Sequence, residues 1–260
     1  MKKRFFSFGC SFTKDWECPT WADYIGIEFE EFYNLAMPGS SNNLIMQRFI
    51  EADSYYNFNK DTDVIMIGIS GLGRYSFPVT INDKDFFYSR GDLDVSQSSV
   101  FDTKEVKENF EFVKRKFWKK RYSVFDSYIS VKVMKDILSS KNIEHKIFAS
   151  IDYKIYLENS DVFQINKQLL SKIELIRDML SFEESLSEFD NFNSGHPSQQ
   201  THYEFAKKHF SEFLGEKSLD LLNKDYNKNY FDYIKNIHPD YQGLGSFDHR
   251  NLEGFCFGYV

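Results

Sequence analysis

The chain reads as an α/β protein with a parallel sheet covered by helices on both faces, and three observations point there. Short apolar runs alternate with segments of helical periodicity. Three of those runs end in loops of small or polar residues, beginning at Gly9, at Met37 and at Ser70. One run, Val64-Ile65-Met66-Ile67-Gly68-Ile69, is six apolar or Gly residues in succession, the mark of a strand buried on both faces.

The first strand is Phe5-Phe6-Ser7-Phe8, followed by Gly9-Cys10-Ser11-Phe12-Thr13. A Gly-x-Ser sequence leaving a buried strand sets the Ser11 hydroxyl at the carboxyl end of a sheet, where open α/β sheets bind ligands. Gly9 permits a sharp turn, and Thr13 is a candidate helix N-cap. Residues 16–32 carry Trp21, Tyr24, Ile25 and Phe29 in a helical rhythm. A short strand over 32–36 runs into Met37-Pro38-Gly39-Ser40-Ser41-Asn42-Asn43, a break followed by helix caps, and the next helix turns Leu44, Ile45, Phe49 and Ile50 to one side.

After the strand at 63–69 comes Ser70-Gly71-Leu72-Gly73-Arg74. Residues 76–102 are polar and turn-rich, which suits a hairpin or a lid. Residues 103–139 are expected to be helical, with Val106, Phe110, Val113 and Phe117 on one face. Lys114, Arg115, Lys116, Lys119, Lys120 and Arg121 lie on the exposed face, read as solvated rather than as an anion-binding patch. A strand is expected over 145–150 and a helix along Val162, Ile165, Leu169, Ile173 and Ile176. Residues 1–215 form the expected domain, with an insertion near 76–105, and 216–260 an aromatic-rich extension that docks on the same chain.

Composition narrows the partners. Lys and Arg number 32 against 39 Asp and Glu, a net charge of −7, which disfavours nucleic acid and anionic membrane. Three cysteines (Cys10, Cys18, Cys256) give no disulfide framework and suit a reducing compartment. The apolar run after the basic N-terminus is too short for a signal peptide, and no run has transmembrane length, so a cytoplasmic location is expected.

The second informative stretch is Asp190-Asn191-Phe192-Asn193-Ser194-Gly195-His196-Pro197-Ser198. It leads into a helix with Phe205, Phe210 and Phe213 facing inward. Pro197 biases His196 to extended backbone, and a loop histidine held in this way suits a general base for a serine on the first strand. Cys10, if it continues the strand alternation, points away from Ser11 and reads as a small buried residue. His196, His202 and His209 lack metal-ligand spacing, so no metal or other cofactor is expected; His202 is expected to hold the last helix against the loop.

In this order, the Gly9-Cys10-Ser11-Phe12-Thr13, Asn34–Asn42 and Gly195-His196-Pro197-Ser198 blocks resemble the SGNH (GDSL-type) hydrolase superfamily, in particular a subgroup with a Gly-Cys-Ser-Phe-Thr first block. The resemblance spans about residues 3–214. It implies a three-layer α/β/α sandwich with a flavodoxin-like parallel sheet, and metal-free hydrolysis or transfer of acyl groups. It makes Ser11 the nucleophile and His196 the general base, with the Ser11 and Gly39 N–H groups as oxyanion donors. Asn42 is left two roles, donating to substrate or holding its loop. The family's third-block Asn is absent, leaving Ser70 as a candidate third donor and Arg74 as either an anion-binding residue or half of a surface salt bridge. The family's Asp two or three residues before the His is replaced by Asn193 and Ser194. Asp190 is the nearest carboxylate, and a backbone carbonyl is the other means of orienting His196. The expected function is a serine esterase or deacetylase acting on an O-acylated glycan or small ester. The alternatives are a catalytically weak binding module of the same fold or an O-acyltransferase.

Overall fold

The computed structural model describes residues 2–14, 18–72, 74–81, 84–90, 112, 120–150, 179–180, 196–223 and 234. The elements follow in the order β1 (Arg4–Phe8), α1 (Trp21–Gly26), β2 (Glu31–Asn34), α2 (Asn42–Tyr56), β3 (Asp63–Ile69), β4 (Tyr75–Ile81) and β5 (Lys84–Arg90). Then come α3 (Lys120–Ser140), β6 (Glu144–Ala149), α4 (Gln199–His209), a 3-10 turn (Ser211–Phe213) and α5 (Glu216–Asn223). β2, β1, β3 and β6 form a parallel sheet in that spatial order.

Alternation along the strands splits the core into two layers. From β1 and β3, Phe5, Val64 and Met66 pack with Phe148 of β6 against Trp21 and Ile25 of α1 and Phe205 of α4. Phe6, Phe8, Ile65, Ile67 and Ile69 face the other way, onto Ile45 and Phe49 of α2 and Val131, Met134 and Leu138 of α3. The result is a three-layer α/β/α sandwich with the flavodoxin-like strand order. Strands covered on both faces call for apolar residues on both sides, and β1 from Phe5 onward and all of β3 are buried. Burying a phenylalanine side chain in this way contributes roughly 1.5–3 kcal/mol, and edge contacts such as Trp21 on Phe148, 4.9 Å between centroids, add to it.

The chain leaves β1 for β2 on one side, then crosses back past β1 to reach β3 on the other. The loops after β1 and β3 therefore diverge at the carboxyl edge of the sheet and open a crevice there. At the opposite edge the Arg4 guanidinium donates two hydrogen bonds of 2.7 Å to the Asp63 carboxylate, which also accepts from the Asn59 N–H and the Thr62 hydroxyl. Arg4 pairs with Asp63 in the β1–β3 register, so the ion pair fixes the alignment that brings both strand ends to the crevice.

Several local expectations shift. The first helix is confined to Trp21–Gly26, and Phe29 joins the core from beyond its end. Thr13 does not cap it; Thr20 does, with its own N–H donating to the Asp23 carboxylate at 2.8 Å. The second strand is Glu31–Asn34. On α2, Ile50 is exposed, because a residue 100° around the helix from buried Phe49 leaves the core face. β4 and β5 form an antiparallel hairpin within the expected insertion. In the expected extension, Leu221 and Ile234 join the core beside α1, and the Ser218 hydroxyl donates to the Tyr24 carbonyl at 2.7 Å. The expected apolar face at Val106, Phe110, Val113 and Phe117, the basic residues Lys114, Arg115, Lys116 and Lys119, the helix over 162–176 and residues 235–260 lie outside the described residues. Among the described residues no helix is long and apolar enough to cross a membrane.

Removing the buried Asp63 carboxylate leaves the part-buried Arg4 guanidinium and the Asn59 N–H without their acceptor. Asp63→Ala is expected to lower the unfolding free energy by about 3 kcal/mol, read as a shift in the urea midpoint at unchanged slope. A midpoint within error of the native chain would remove this pair from the determinants of strand register.

Candidate active site

The loop after β1 is a tight turn in which the N–H groups of Thr13 and Lys14 both donate to the Cys10 carbonyl, at 2.9 and 3.1 Å. Only glycine fits at position 9, since a Cβ there would lie 2.0 Å from Thr13 Oγ1 and 3.0 Å from the Gly68 carbonyl oxygen. The turn sends Cys10 into the core with Phe5 and Trp21, and brings Ser11 to the crevice, 5% exposed.

His196 arrives from a distant part of the sequence. Ser198 caps α4, its hydroxyl accepting from the Thr201 N–H at 3.3 Å, so the helix start sets where His196 and Pro197 lie. His196 Nε2 stands 2.8 Å from Ser11 Oγ, joining residues 185 positions apart. Phe12 packs edge-on against the imidazole at 5.7 Å between centroids. His202, within the first turn of α4, is wholly buried, and its pKa is pushed down to about 3, by burial first and then by His196. It is a neutral ring in the wall of the site. Asp190, Asn193 and Ser194 lie outside the described residues.

The second loop hangs from the first. The Met37 N–H donates to the Gly9 carbonyl at 3.1 Å, continuing the pairing of Leu35 N–H with the Ser7 carbonyl. Gly39 has φ 81°, a left-handed backbone that strains any L side chain. Ser41 then caps α2, its hydroxyl accepting from Leu44 N–H.

Asn42 is wholly buried. Its Oδ1 accepts from the Ser70 N–H at 2.8 Å, and its Nδ2 donates to the Ser70 carbonyl and to the Ser127 hydroxyl, both at 3.0 Å. Of the two roles open to it, these hydrogen bonds are those of a brace between the loops after β2 and β3. Ser70 is buried, with its backbone N–H and C=O both engaged by that brace. Arg74 closes a turn by donating its N–H to the Gly71 carbonyl at 3.2 Å.

Four polar residues that sequence reasoning passed over lie under these loops. Lys14, Asp23, Asn34 and Arg48 are all buried. Lys14 Nζ donates to the Asn34 carbonyl at 3.2 Å, Asn34 Nδ2 to the Thr13 carbonyl at 3.0 Å, and Arg48 Nε to the Leu35 carbonyl at 2.9 Å. Burial pushes the Lys14 pKa down to about 7, with Arg48 acting in the same sense and Asp23 against it. The available signal was the position of Lys14 three residues beyond Ser11; nothing in the sequence sets it apart from a surface lysine. Among the described residues no three His, Cys, Asp or Glu side chains gather as a metal site.

Among solved structures, the chain is similar to a protein assigned to the G-D-S-L family of lipolytic proteins from Desulfitobacterium hafniense DCB-2. The identity is 13% and the TM-score 0.43, with 82% of this chain and 100% of that chain covered. No protein-family model matches the chain, and no curated protein does.

Lys14 makes stability depend on pH. Its ordinary pKa is 10.5 and its folded value about 7, so between those values the unfolded chain holds more protons than the folded one. The unfolding free energy is therefore expected to rise with pH across that window, by at most about 1.4 kcal/mol per pH unit. Urea titrations at pH 7, 8 and 9 should show this rise in the native chain and a flatter one in Lys14→Met. Parallel slopes would place the Lys14 ammonium in water.

Proposed function

We propose that the chain is a serine esterase or deacetylase of the SGNH type, acting on an O-acylated glycan or a similar small ester. The observation that carries this reading is the 2.8 Å approach of His196 Nε2 to Ser11 Oγ at the carboxyl edge of a parallel sheet. A serine hydroxyl is a weak nucleophile until a base takes its proton. An imidazole nitrogen within hydrogen-bond reach is suited to do so near neutral pH.

In the proposed reaction Ser11 Oγ attacks the acyl carbon while His196 Nε2 accepts the Ser11 proton. The carbonyl oxygen becomes an oxyanion, met by the backbone N–H groups of Ser11 and Gly39. Losing one such donor typically costs on the order of 100- to 1000-fold in rate. His196 then gives its proton to the departing alkoxide, the alcohol leaves, and Ser11 holds the acyl group. A water molecule, deprotonated by His196, attacks that acyl group, and collapse of the second tetrahedral intermediate returns the proton to Ser11 and releases the acid.

Two features support this division of labour. The left-handed backbone at Gly39 and the bond from Met37 N–H to the Gly9 carbonyl hold the second loop against the first, as preorganised donors require. The edge contact from Phe12 and the restriction imposed by Pro197 hold the imidazole where it meets Ser11.

The test is labelling with a fluorophosphonate probe alongside hydrolysis of 4-nitrophenyl acetate. Ser11→Ala is expected to abolish labelling, and His196→Ala to slow both reactions by on the order of 1000-fold or more. Labelling that persists in Ser11→Ala would move the nucleophile elsewhere. A folded native chain that neither labels nor hydrolyses the ester would favour a binding module of the same fold.

A further inference from the structure

Arg74 stands in the loop after β3, where the resemblance leads one to look for a neutral amide. Its side chain is half-buried. Guanidinium Nη1 is itself buried, and among the described residues it has no hydrogen-bond partner. No carboxylate among them pairs with it either, so the surface salt bridge open to it in the sequence is not formed there. A guanidinium cannot shed its charge to escape burial, so an unmet N–H in such a place is costly until an acceptor arrives.

The backbone around Arg74 is tied to both loops of the candidate site. On one side its N–H closes the turn onto Gly71, next to Ser70, which Asn42 braces. On the other, the Ser76 hydroxyl accepts from the Ser41 N–H at 3.3 Å, two residues from Gly39. The ends of β1 and β3 emerge side by side, since Phe8 pairs with Ile67 and the Gly68 carbonyl lies against Gly9. Arg74 thus stands where the chain after β3 leaves the carboxyl edge of the sheet, the edge that carries Ser11. The chain as a whole carries net charge −7 and offers anions no general attraction. A guanidinium set at this edge is therefore a local device, and its planar fork matches an oxyanion group in two parallel hydrogen bonds.

We infer that Arg74 is a specificity residue that binds an oxyanion, carboxylate or phosphate, carried on the alcohol part of the substrate ester. The inference rests on the esterase reading and narrows its substrate class to acidic O-acylated compounds, sugar acids and sugar phosphates among them. Carboxylate and phosphate share the chemistry that the guanidinium recognises, and two probes separate them.

The experiment compares O-acetyl glucuronate and O-acetyl glucose 6-phosphate with O-acetyl glucose as the neutral reference. The native chain is expected to prefer at least one anionic ester. In Arg74→Gln the ratio of kcat/KM for that ester over the neutral one should fall roughly 10- to 100-fold, chiefly through KM, with Arg74→Lys between the two. The ester that loses its advantage identifies the group that Arg74 holds. A ratio unchanged in Arg74→Gln overturns the inference. Calorimetric binding of the same esters to Ser11→Ala, with and without Arg74→Gln, reads the contact without turnover. Weaker binding of an anionic ester on loss of Arg74 supports the subsite whatever the nucleophile, and equal binding overturns it. Hydrolysis that survives in Ser11→Ala overturns the assignment of Ser11 alone.

Discussion

There is no room for a side chain at residue 9, and the candidate site depends on that. The Thr13 side chain fills the space between Gly9 and Gly68, close enough that a Cβ on either glycine would meet its hydroxyl, at 2.0 and 2.8 Å. With Thr13 drawn in, the chain must close the turn onto the Cys10 carbonyl, and Ser11 is left at its outer side. The Gly9 carbonyl then becomes the anchor for Met37, so the loop bearing Gly39 takes its position from the same residue. One close approach between two strand ends thereby sets both the hydroxyl and the loop proposed to face it.

The support beneath is polar, which is unusual for a position so deep. Carrying Lys14, Asp23 and Arg48 out of water is expensive, and the cost is offset only where each charge is met by a hydrogen bond or an opposite charge. Here Lys14 and Arg48 donate to the backbone carbonyls of Asn34 and Leu35, the neutral Asn34 amide and Thr20 hydroxyl donate to that of Thr13, and the Asp23 carboxylate accepts from the Thr20 N–H. These carbonyls belong to the two loops. An apolar filling of equal volume would leave them unpaired, so the buried charges work as fasteners for irregular backbone. Asn42 does the same for the loop after β3. Such rigidity is what fixed oxyanion donors need, since donors that must reorganise lose much of their effect.

Legibility in the sequence followed the physics of each element. β3 could be read to its end residues because a strand buried on both faces leaves an unbroken apolar run, whereas β2, four residues long with an exposed start, left its bounds unclear. Thr13 has the chemistry of a cap, but tertiary packing between two glycines claimed it, and local rules see no such competition. Ser11 and His196 were legible as a pair only through the order of three motifs, since no local signal spans 185 residues. Lys14 and Asp23 were invisible as buried groups, because burial of a charge is decided by partners far off in sequence. For Arg74 the sequence offered two roles of equal standing, and the anion-binding role is inferred from a buried Nη1 that has no partner among the described residues.

The distance between Ser11 and His196 is set by the packing of two layers, and this ties the site to the core. Ser11 is carried by β1 and His196 by the start of α4, and these meet through Phe205 and Phe210 lodged against Trp21 and Phe148. A cavity in that aromatic cluster would let α4 settle by a fraction of an ångström, and close-packed interiors transmit such shifts. A hydrogen bond of 2.8 Å tolerates little of that, because proton transfer requires the two atoms to stay within contact range. His202 works in the same direction: burial holds its ring neutral, so it adds no positive charge beside the proposed base His196. The aromatic core on this face therefore does more than stabilise the fold. It sets the register between the proposed base and a hydroxyl 185 positions away in the sequence.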